Sequence, residues 1–167
     1  MKQKIEKALS PLLGMPLWGA SRAADMQVFQ MGARHTVTSF RGKPCSVGDY
    51  ALHLQCTWRI FGPSGIVTGS TDLYYPPGDP DQKPPDFDWQ QGNRRDERLA
   101  NLLAAESDGF SVEHVSADES GGFVLNLRGG YRLEAFPADS LPNEHWRLLK
   151  QGDLTSHFVV TGLGIET

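Results

Sequence analysis

The sequence is poor in the residues that mark several common protein classes. It has only two cysteines among 167 residues, which excludes a disulfide-dense scaffold and a four-cysteine zinc site. No run approaches the roughly 18 apolar residues that a transmembrane helix needs. Basic residues are not in excess, because 16 Lys and Arg stand against 20 Asp and Glu, for a net charge of −4. We therefore expect neither a membrane span nor a nucleic-acid partner.

What the sequence does contain is enough apolar material for one packed core. Hydrophobic residues make up 39% of the chain, and its length fits a single domain, which we assign to residues 1–167. The N-terminal segment resembles a signal peptide, with lysines before an apolar stretch, but Glu6 and Pro11 interrupt that pattern. We therefore expect a cytoplasmic protein in which Cys45 and Cys56 are reduced thiols.

Two segments have the apolar spacing of amphipathic helices. The first covers residues 3–13, where Pro11 either limits the helix or starts a second short turn, because proline lacks a backbone N–H. The second covers residues 94–106, with Asn93 as its N-cap. The apolar stripe of the second helix consists of Leu99, Leu102 and Leu103.

The remaining pattern predicts antiparallel strands, so the expected fold class is α+β with a single, mainly antiparallel sheet. Strict alternation of apolar and polar residues over 50–61 predicts a half-buried strand. The Gly-Pro-Ser-Gly turn after it would return the chain, which gives a hairpin over residues 50–74. Turn glycines divide residues 110–165 into a meander. The other predicted segments are strands at 26–31, 35–40, 110–117, 122–128, 131–136 and 157–165, a loop at 41–48, and a short helix or irregular segment at 144–151.

The register of two hairpins can be argued from burial and turn length. If Phe61 pairs with Ile66, then His53 lies opposite Tyr74. In the second hairpin, a three-residue turn with a bulge at Gly129-Gly130 aligns apolar residues on both strands, so we favour it over a two-residue turn.

The first candidate site is the polar face of the predicted hairpin. A histidine titrates near neutral pH, a carboxylate could orient it, and an arginine could hold an anion. Such a face could bind a ligand or form part of an enzyme site, but mixed polar residues are also the ordinary solvent face of an antiparallel sheet. The four residues of this candidate ligand-binding face are His53, Arg59, Asp72 and Tyr74.

The sequence offers little support for a metal site or for catalysis by a thiol. His53 and Cys56 are three apart on a strand and so point to opposite faces, which excludes joint metal binding. The aspartates of residues 79–88 lack the spacing of a calcium loop. Cys56 falls among core positions, where a thiol is unreactive. We therefore predict no metal, no cofactor and no catalytic residue.

The second candidate surface lies in the long loop over residues 75–93, with residues 74–89 as the contact surface. Five prolines and four aspartates exclude a regular helix or a central strand there. Large aromatics within such a loop are typical anchors of protein interfaces, although they could instead cover the edge of the core. The candidate partner-binding residues are Tyr75, Phe87 and Trp89.

Two stretches also resemble known bacterial sequences. Residues 48–60 and 69–74 resemble a stretch common in small uncharacterised bacterial proteins. Residues 115–147, with a Leu-rich strand, a Gly-turn strand and a Glu-His-Trp-Arg segment, are similar to the meander of bacterial immunity-like domains. That resemblance implies a non-enzymatic, toxin-neutralising or interaction role, with which the acidic balance of residues 51–167 is compatible.

The leading hypothesis is therefore a non-enzymatic bacterial protein that binds a protein partner through the long loop. The alternative is a small-molecule-binding protein or enzyme that uses the His53 face. A third alternative is a homodimer formed through an exposed strand edge or the aromatic loop.

Overall fold

The computed structural model describes residues 1–39, 41–153 and 157–166. Two helices and thirteen strands lie in the described ranges, with short 3₁₀ helices at Ser10–Leu12 and Ser70–Tyr74. The helices are α1 (Lys2–Leu9) and α2 (Arg94–Ala105). The strands are β1 (Pro16–Ala23), β2 (Met26–Met31), β3 (His35–Thr38), β4 (Pro44–Val47), β5 (Tyr50–Leu54), β6 (Thr57–Gly62), β7 (Gly65–Gly69), β8 (Phe110–Ala117), β9 (Phe123–Leu127), β10 (Tyr131–Phe136), β11 (Glu144–Lys150), β12 (His157–Thr161) and β13 (Gly164–Ile165).

Eleven strands form one antiparallel sheet, which we describe as two halves. The first half has the order β13-β12-β11-β5-β2-β1, and the second has the order β8-β9-β10-β6-β7. A short pairing joins β1 to β8, where Leu17 lies opposite Phe110. The chain itself joins the halves a second time, because only Gln55 and Cys56 separate β5 from β6. Both halves therefore enclose the same core, and the predicted α+β class is confirmed, with antiparallel sheet predominant.

The predicted strand over residues 50–61 keeps its alternation but changes sheet half in the middle. The backbone N–H groups of Gln55 and Cys56 both donate to the carbonyl of His145, which marks the crossing. The apolar positions remain on the core side throughout, because Cys56 continues the series of buried side chains. The buried side chains of this series are Leu52, Leu54, Cys56, Trp58 and Ile60.

The return strand of the predicted hairpin is shorter than expected. Phe61 does pair with Ile66, but a bulge shifts the next pair, so that Ile60 lies opposite Thr68. Strand β7 ends at Gly69, and Ser70–Tyr74 forms a 3₁₀ helix. The predicted pairing of His53 with Tyr74 is therefore wrong, because a bulge adds a residue to one strand and the strand ends before residue 74.

The meander is confirmed in its first three strands and corrected in its last part. Leu125 pairs with Leu133 across a three-residue turn, as burial of both side chains predicts. Strand β11 replaces the predicted helix or irregular segment at residues 144–151, because it pairs with β5 and β12 on either side. Two short strands, β12 and β13, stand where one was predicted at 157–165.

The first fifty residues hold more strand than their sequence indicates. Strand β1 has no predicted counterpart, and β4 lies within the segment predicted as a loop, paired with β3. Residue 40, the last of one predicted strand, lies outside the described residues. The α-helical part of the predicted first helix ends at Leu9, and the 3₁₀ helix follows, with Pro11 in its first turn.

The core is filled mainly by large apolar side chains from both halves and from the helices. Phe29 and Trp58 pack edge to face at 5.4 Å between ring centroids, which ties β2 to β6. Ile5 and Leu9 bring α1 into the same cluster, and Leu99 brings in α2. In the described part of the chain, neither helix has the length and apolar character to cross a membrane.

Candidate functional site

The structure does not bring the four residues of the predicted polar face together. His53 lies in the first half of the sheet, between Val28 on β2 and Arg147 on β11. Arg59 lies in the second half, where its Nε donates to Glu134 at 2.5 Å. The predicted face required one continuous hairpin, whereas β5 and β6 belong to different halves.

Asp72 and Tyr74 lie on the 3₁₀ helix Ser70–Tyr74 instead of on a strand. The Asp72 carboxylate accepts hydrogen bonds from the Thr68 hydroxyl and from the backbone N–H of Gly69. It therefore closes the turn after β7. Tyr74 packs against Trp89 of the long loop, with the ring centroids 6.2 Å apart.

The long loop is held against the domain by polar contacts. Arg22 donates to the carbonyls of Trp89 and Gln90, and its guanidinium lies over the Trp89 ring. The ammonium of Lys83 lies over the Phe87 ring at 5.2 Å. Phe87 and Trp89 are therefore half-buried, whereas Tyr75 is 47% exposed.

The residue that the sequence analysis did not identify is Arg95, on the first turn of α2. Its side chain is 1% exposed and points toward the core, with the guanidinium 5.8 Å from the centroid of the Trp58 ring. The helix begins here because Asn93 accepts a hydrogen bond from the backbone N–H of Asp96. That cap fixes the first turn and so determines that Arg95 faces inward.

Only one edge of the Arg95 guanidinium is occupied. The Nη1 atom donates to the carbonyl of Asp25 at 3.0 Å. Among residues 1–39, 41–153 and 157–166, nothing accepts a hydrogen bond from the Nε or Nη2 atom. These two N–H groups lie side by side along one edge, which is the arrangement that binds both oxygens of a carboxylate.

The neighbouring acids do not fill that edge. The Oδ2 atom of Asp96 accepts from Arg22 at 2.7 Å and from Asn93 at 2.8 Å. Burial lowers the pKa of Arg95, while the negative charges of Asp96 and Asp25 oppose that shift. Because an arginine titrates far above neutral pH, the side chain stays charged. The result is a buried cation whose Nε and Nη2 donors have no partner among the described residues.

The wall of a small cavity of about 160 Å³ includes Arg95. The cavity lies where the junction between β5 and β6 meets α2 and the 3₁₀ helix Ser70–Tyr74. Hydroxyl, amide, thiol and aromatic groups line it together with the guanidinium. Its lining residues are Asp25, Leu54, Gln55, Cys56, Thr57, Trp58, Ser70, Leu73, Tyr74 and Arg95.

The Cys56 thiol is another group in the cavity wall. Burial raises the pKa of the Cys56 thiol to about 11, so the thiol is protonated at neutral pH and is a poor nucleophile. This agrees with the prediction that Cys56 is an unreactive core residue. No three His, Cys, Asp or Glu side chains among the described residues are grouped as metal ligands.

A signal for Arg95 was present in the sequence. The apolar stripe of α2 contains Leu99, Leu102 and Leu103, and its spacing extends back by four residues to position 95. An arginine at a core-facing position of an amphipathic helix breaks the pattern. Such a break indicates either a buried ion pair or a ligand site, and the sequence does not distinguish them.

Comparison with models of protein families, with curated proteins and with solved structures finds no match to this chain. The resemblance of residues 115–147 to bacterial immunity-like domains therefore stays a prediction.

Proposed function

We propose that this protein binds a small carboxylate-containing ligand in the cavity at Arg95. The observation that carries the proposal is the guanidinium itself, which is 1% exposed and has two adjacent donors without a partner among the described residues. Buried polar groups in proteins nearly always have hydrogen-bond partners. A carboxylate would satisfy both donors and neutralise the charge in one step.

The energetics support a ligand. Leaving a buried charge without its partner destabilises proteins by about 3–5 kcal/mol. Asp96 accepts hydrogen bonds from Arg22 and Asn93, and no described carboxylate accepts one from Nε or Nη2 of Arg95. A ligand that binds only the folded protein would offset the cost and raise the stability of the domain.

The cavity limits the ligand to a small molecule. A volume of about 160 Å³ lies below the range of about 300–1,000 Å³ that is typical of sites for drug-sized ligands. The Trp58 ring would contact the carbon part of the ligand, and the hydroxyl groups of Thr57 and Ser70 could bind a further polar atom. Tyr74 is 48% exposed and also lines the cavity, so it marks the side from which a ligand would enter.

The test is a titration followed by NMR, with acetate, succinate and inorganic phosphate as probes. We expect a carboxylate to shift signals of Trp58 and α2 in a saturable way. The variant Arg95→Met should lose that response, because it removes both donors and the charge. Its free energy of unfolding should be unchanged or higher, since an apolar side chain avoids the cost of a buried cation.

The matched control is Arg98→Met, which removes the same charge from the next turn of α2, outside the cavity lining. It should bind the carboxylate as the wild type does. Equal responses in the Arg95→Met and Arg98→Met variants would contradict the proposal. So would a crystal structure grown with the carboxylate in which only ordered water contacts Nε and Nη2.

A second candidate function is binding of a protein partner through the start of the long loop. The specific observation is that Tyr74 and Tyr75 are 48% and 47% exposed and adjacent in sequence. Exposed tyrosines are frequent anchors in interfaces. Phe87 and Trp89 of the predicted surface are half-buried, so in this proposal they hold the loop in place while the two tyrosines make the main contacts.

This second candidate predicts an effect of Tyr75→Ser on capture of a partner from the native lysate. A protein retained by the wild type should be lost with Tyr75→Ser and kept with Leu163→Ser, a control at a residue that is 76% exposed. Identical sets of retained proteins for all three forms would contradict partner binding at the tyrosines.

A further inference from the structure

A second, larger concave feature lies between α1 and the first half of the sheet. This groove has a volume of about 450 Å³ and is separate from the Arg95 cavity, with which it shares no lining residue. Three lysines and five carbon-rich side chains line it. Its lining residues are Lys4, Lys7, Ala8, Pro11, Tyr50, Leu148, Lys150 and Phe158.

The floor of the groove is apolar because it is the outer margin of the core. Leu148 belongs to the core cluster, and Tyr50 and Phe158 pack against it. Leu148 on β11 pairs with Phe158 on β12, so their side chains lie next to each other across the strands. Such a floor offers contacts to a hydrocarbon chain and few hydrogen bonds.

The helix brings two of the cations to this floor. Residues 4, 7, 8 and 11 follow the spacing of one helical face, so Lys4 and Lys7 flank Ala8 on the side that meets the groove. Ile5 and Leu9 anchor the neighbouring face in the core. The backbone positions of Lys4 and Lys7 are therefore fixed by the same packing that holds α1.

The third cation, Lys150, comes from the end of β11. None of the ion pairs found among the described residues includes Lys4, Lys7 or Lys150, whereas Lys2 pairs with Glu6. Three lysines beside an apolar floor suit a molecule that is anionic at one end and apolar along the rest.

We propose that this groove binds a free fatty acid, with its carboxylate among the three lysines and its alkyl chain along Leu148 and Phe158. A volume of about 450 Å³ lies within the range of about 300–1,000 Å³ that small-molecule sites occupy. An inorganic anion would make no contact with the apolar floor. A neutral lipid would form no ion pair with the lysines. This proposal does not depend on ligand binding at Arg95.

Calorimetric titration with decanoate, kept below its micelle concentration, tests the proposal. We expect one decanoate to bind per chain, and decyltrimethylammonium, which has the same chain length and the opposite charge, not to bind. The double variant Lys4→Gln/Lys7→Gln should weaken decanoate binding roughly five- to tenfold, since it removes two of the three cations.

The matched control is the double variant Lys2→Gln/Lys43→Gln, which removes the same net charge outside the groove and should bind as the wild type does. A second variant, Ala8→Gln, places a polar side chain on the groove wall without removing charge, and it should also weaken binding. Circular dichroism establishes that each variant is folded.

Decanoate binding by these variants distinguishes the groove from the Arg95 cavity and from a membrane surface. Loss of decanoate binding in Arg95→Met, with binding intact in Lys4→Gln/Lys7→Gln, would place the carboxylate in the Arg95 cavity and overturn the groove proposal. Equal binding in both double lysine variants, or binding to phosphatidylglycerol vesicles without binding of monomeric decanoate, would overturn it as well.

Discussion

His53 shows how one side chain takes its properties from three strands. It lies on β5 between Val28 of β2 and Arg147 of β11. Burial lowers its pKa from 6.5, and the positive charges of Arg147 and His157 lower it further, while Glu144 opposes them. The neutral imidazole is therefore favoured in the folded protein near neutral pH.

This shift predicts a pH dependence of stability. In the unfolded chain His53 binds its proton near pH 6.5, whereas the folded protein binds it only at lower pH. The contribution of His53 is thus complete above about pH 6.5 and is lost as the pH falls through the folded pKa. Denaturant titrations of the wild type and of His53→Gln, from pH 8 to pH 5, measure the difference. The wild type should lose more stability than the variant over this range.

The comparison between the two proteins cancels groups that do not interact with His53, such as the pair of His35 with Asp49. Glu144 and Arg147 do interact with His53, so a difference between the curves belongs to this cluster. Parallel curves for the wild type and the variant would contradict the depressed pKa of His53.

At the scale of single elements, local signals predict where structure begins and ends. Asn93 caps α2 as its sequence position indicates, and β2 spans Met26–Met31 as predicted. The alternation over residues 50–61 also identifies the buried side chains correctly. These signals work because the capping residue and the alternation are local, and each is read without knowledge of distant neighbours.

Elements whose stability comes from distant neighbours were missed. Residues 144–151 form β11 because β5 and β12 supply hydrogen-bond partners on both sides. Strand β1 similarly depends on β2 and on its short pairing with β8. The β-propensity of a segment is a weak predictor of strand formation, since sheet pairing depends on partners that are far away in sequence.

The predicted grouping of His53, Arg59, Asp72 and Tyr74 on one hairpin face is not formed, for a related reason. Its geometry assumed a straight hairpin, and the bulge beside Phe61 together with the crossing at Gln55-Cys56 separates its members. A one-residue bulge changes which side chains face one another. Val67 is the extra residue of this bulge, and the sequence around it contains no signal that predicts a bulge.

At the scale of the whole molecule, the junction of the two sheet halves depends on a close backbone approach. Gly109 precedes β8 with a φ of +80°, and a Cβ there would lie 2.6 Å from the carbonyl oxygen of Leu17. Gly109→Ala should therefore lower the free energy of unfolding by about 3–5 kcal/mol, because backbone strain and a clash add together. Thermal or denaturant unfolding measures the loss.

Gly78→Ala is the matched control for that prediction. Gly78 has a φ of +73°, and no heavy atom lies within 4 Å of a Cβ built there. Only the backbone strain applies, so a loss of about 1–2 kcal/mol is expected. Equal losses for the two variants would mean that the contact between Gly109 and β1 does not constrain the junction.

Composition and short-range spacing are enough to predict the α+β class, the alternating strand, the capped helix and the burial of Cys56, because these features depend on residues that are close together in the chain. The placement of β5 and β6 in different sheet halves, and of α1 beside a lysine-lined groove, comes from contacts between distant segments. The same packing buries Arg95 and leaves two of its donors without a partner among the described residues. Each of these depends on which distant segments meet, and that is fixed by the joint packing of one core.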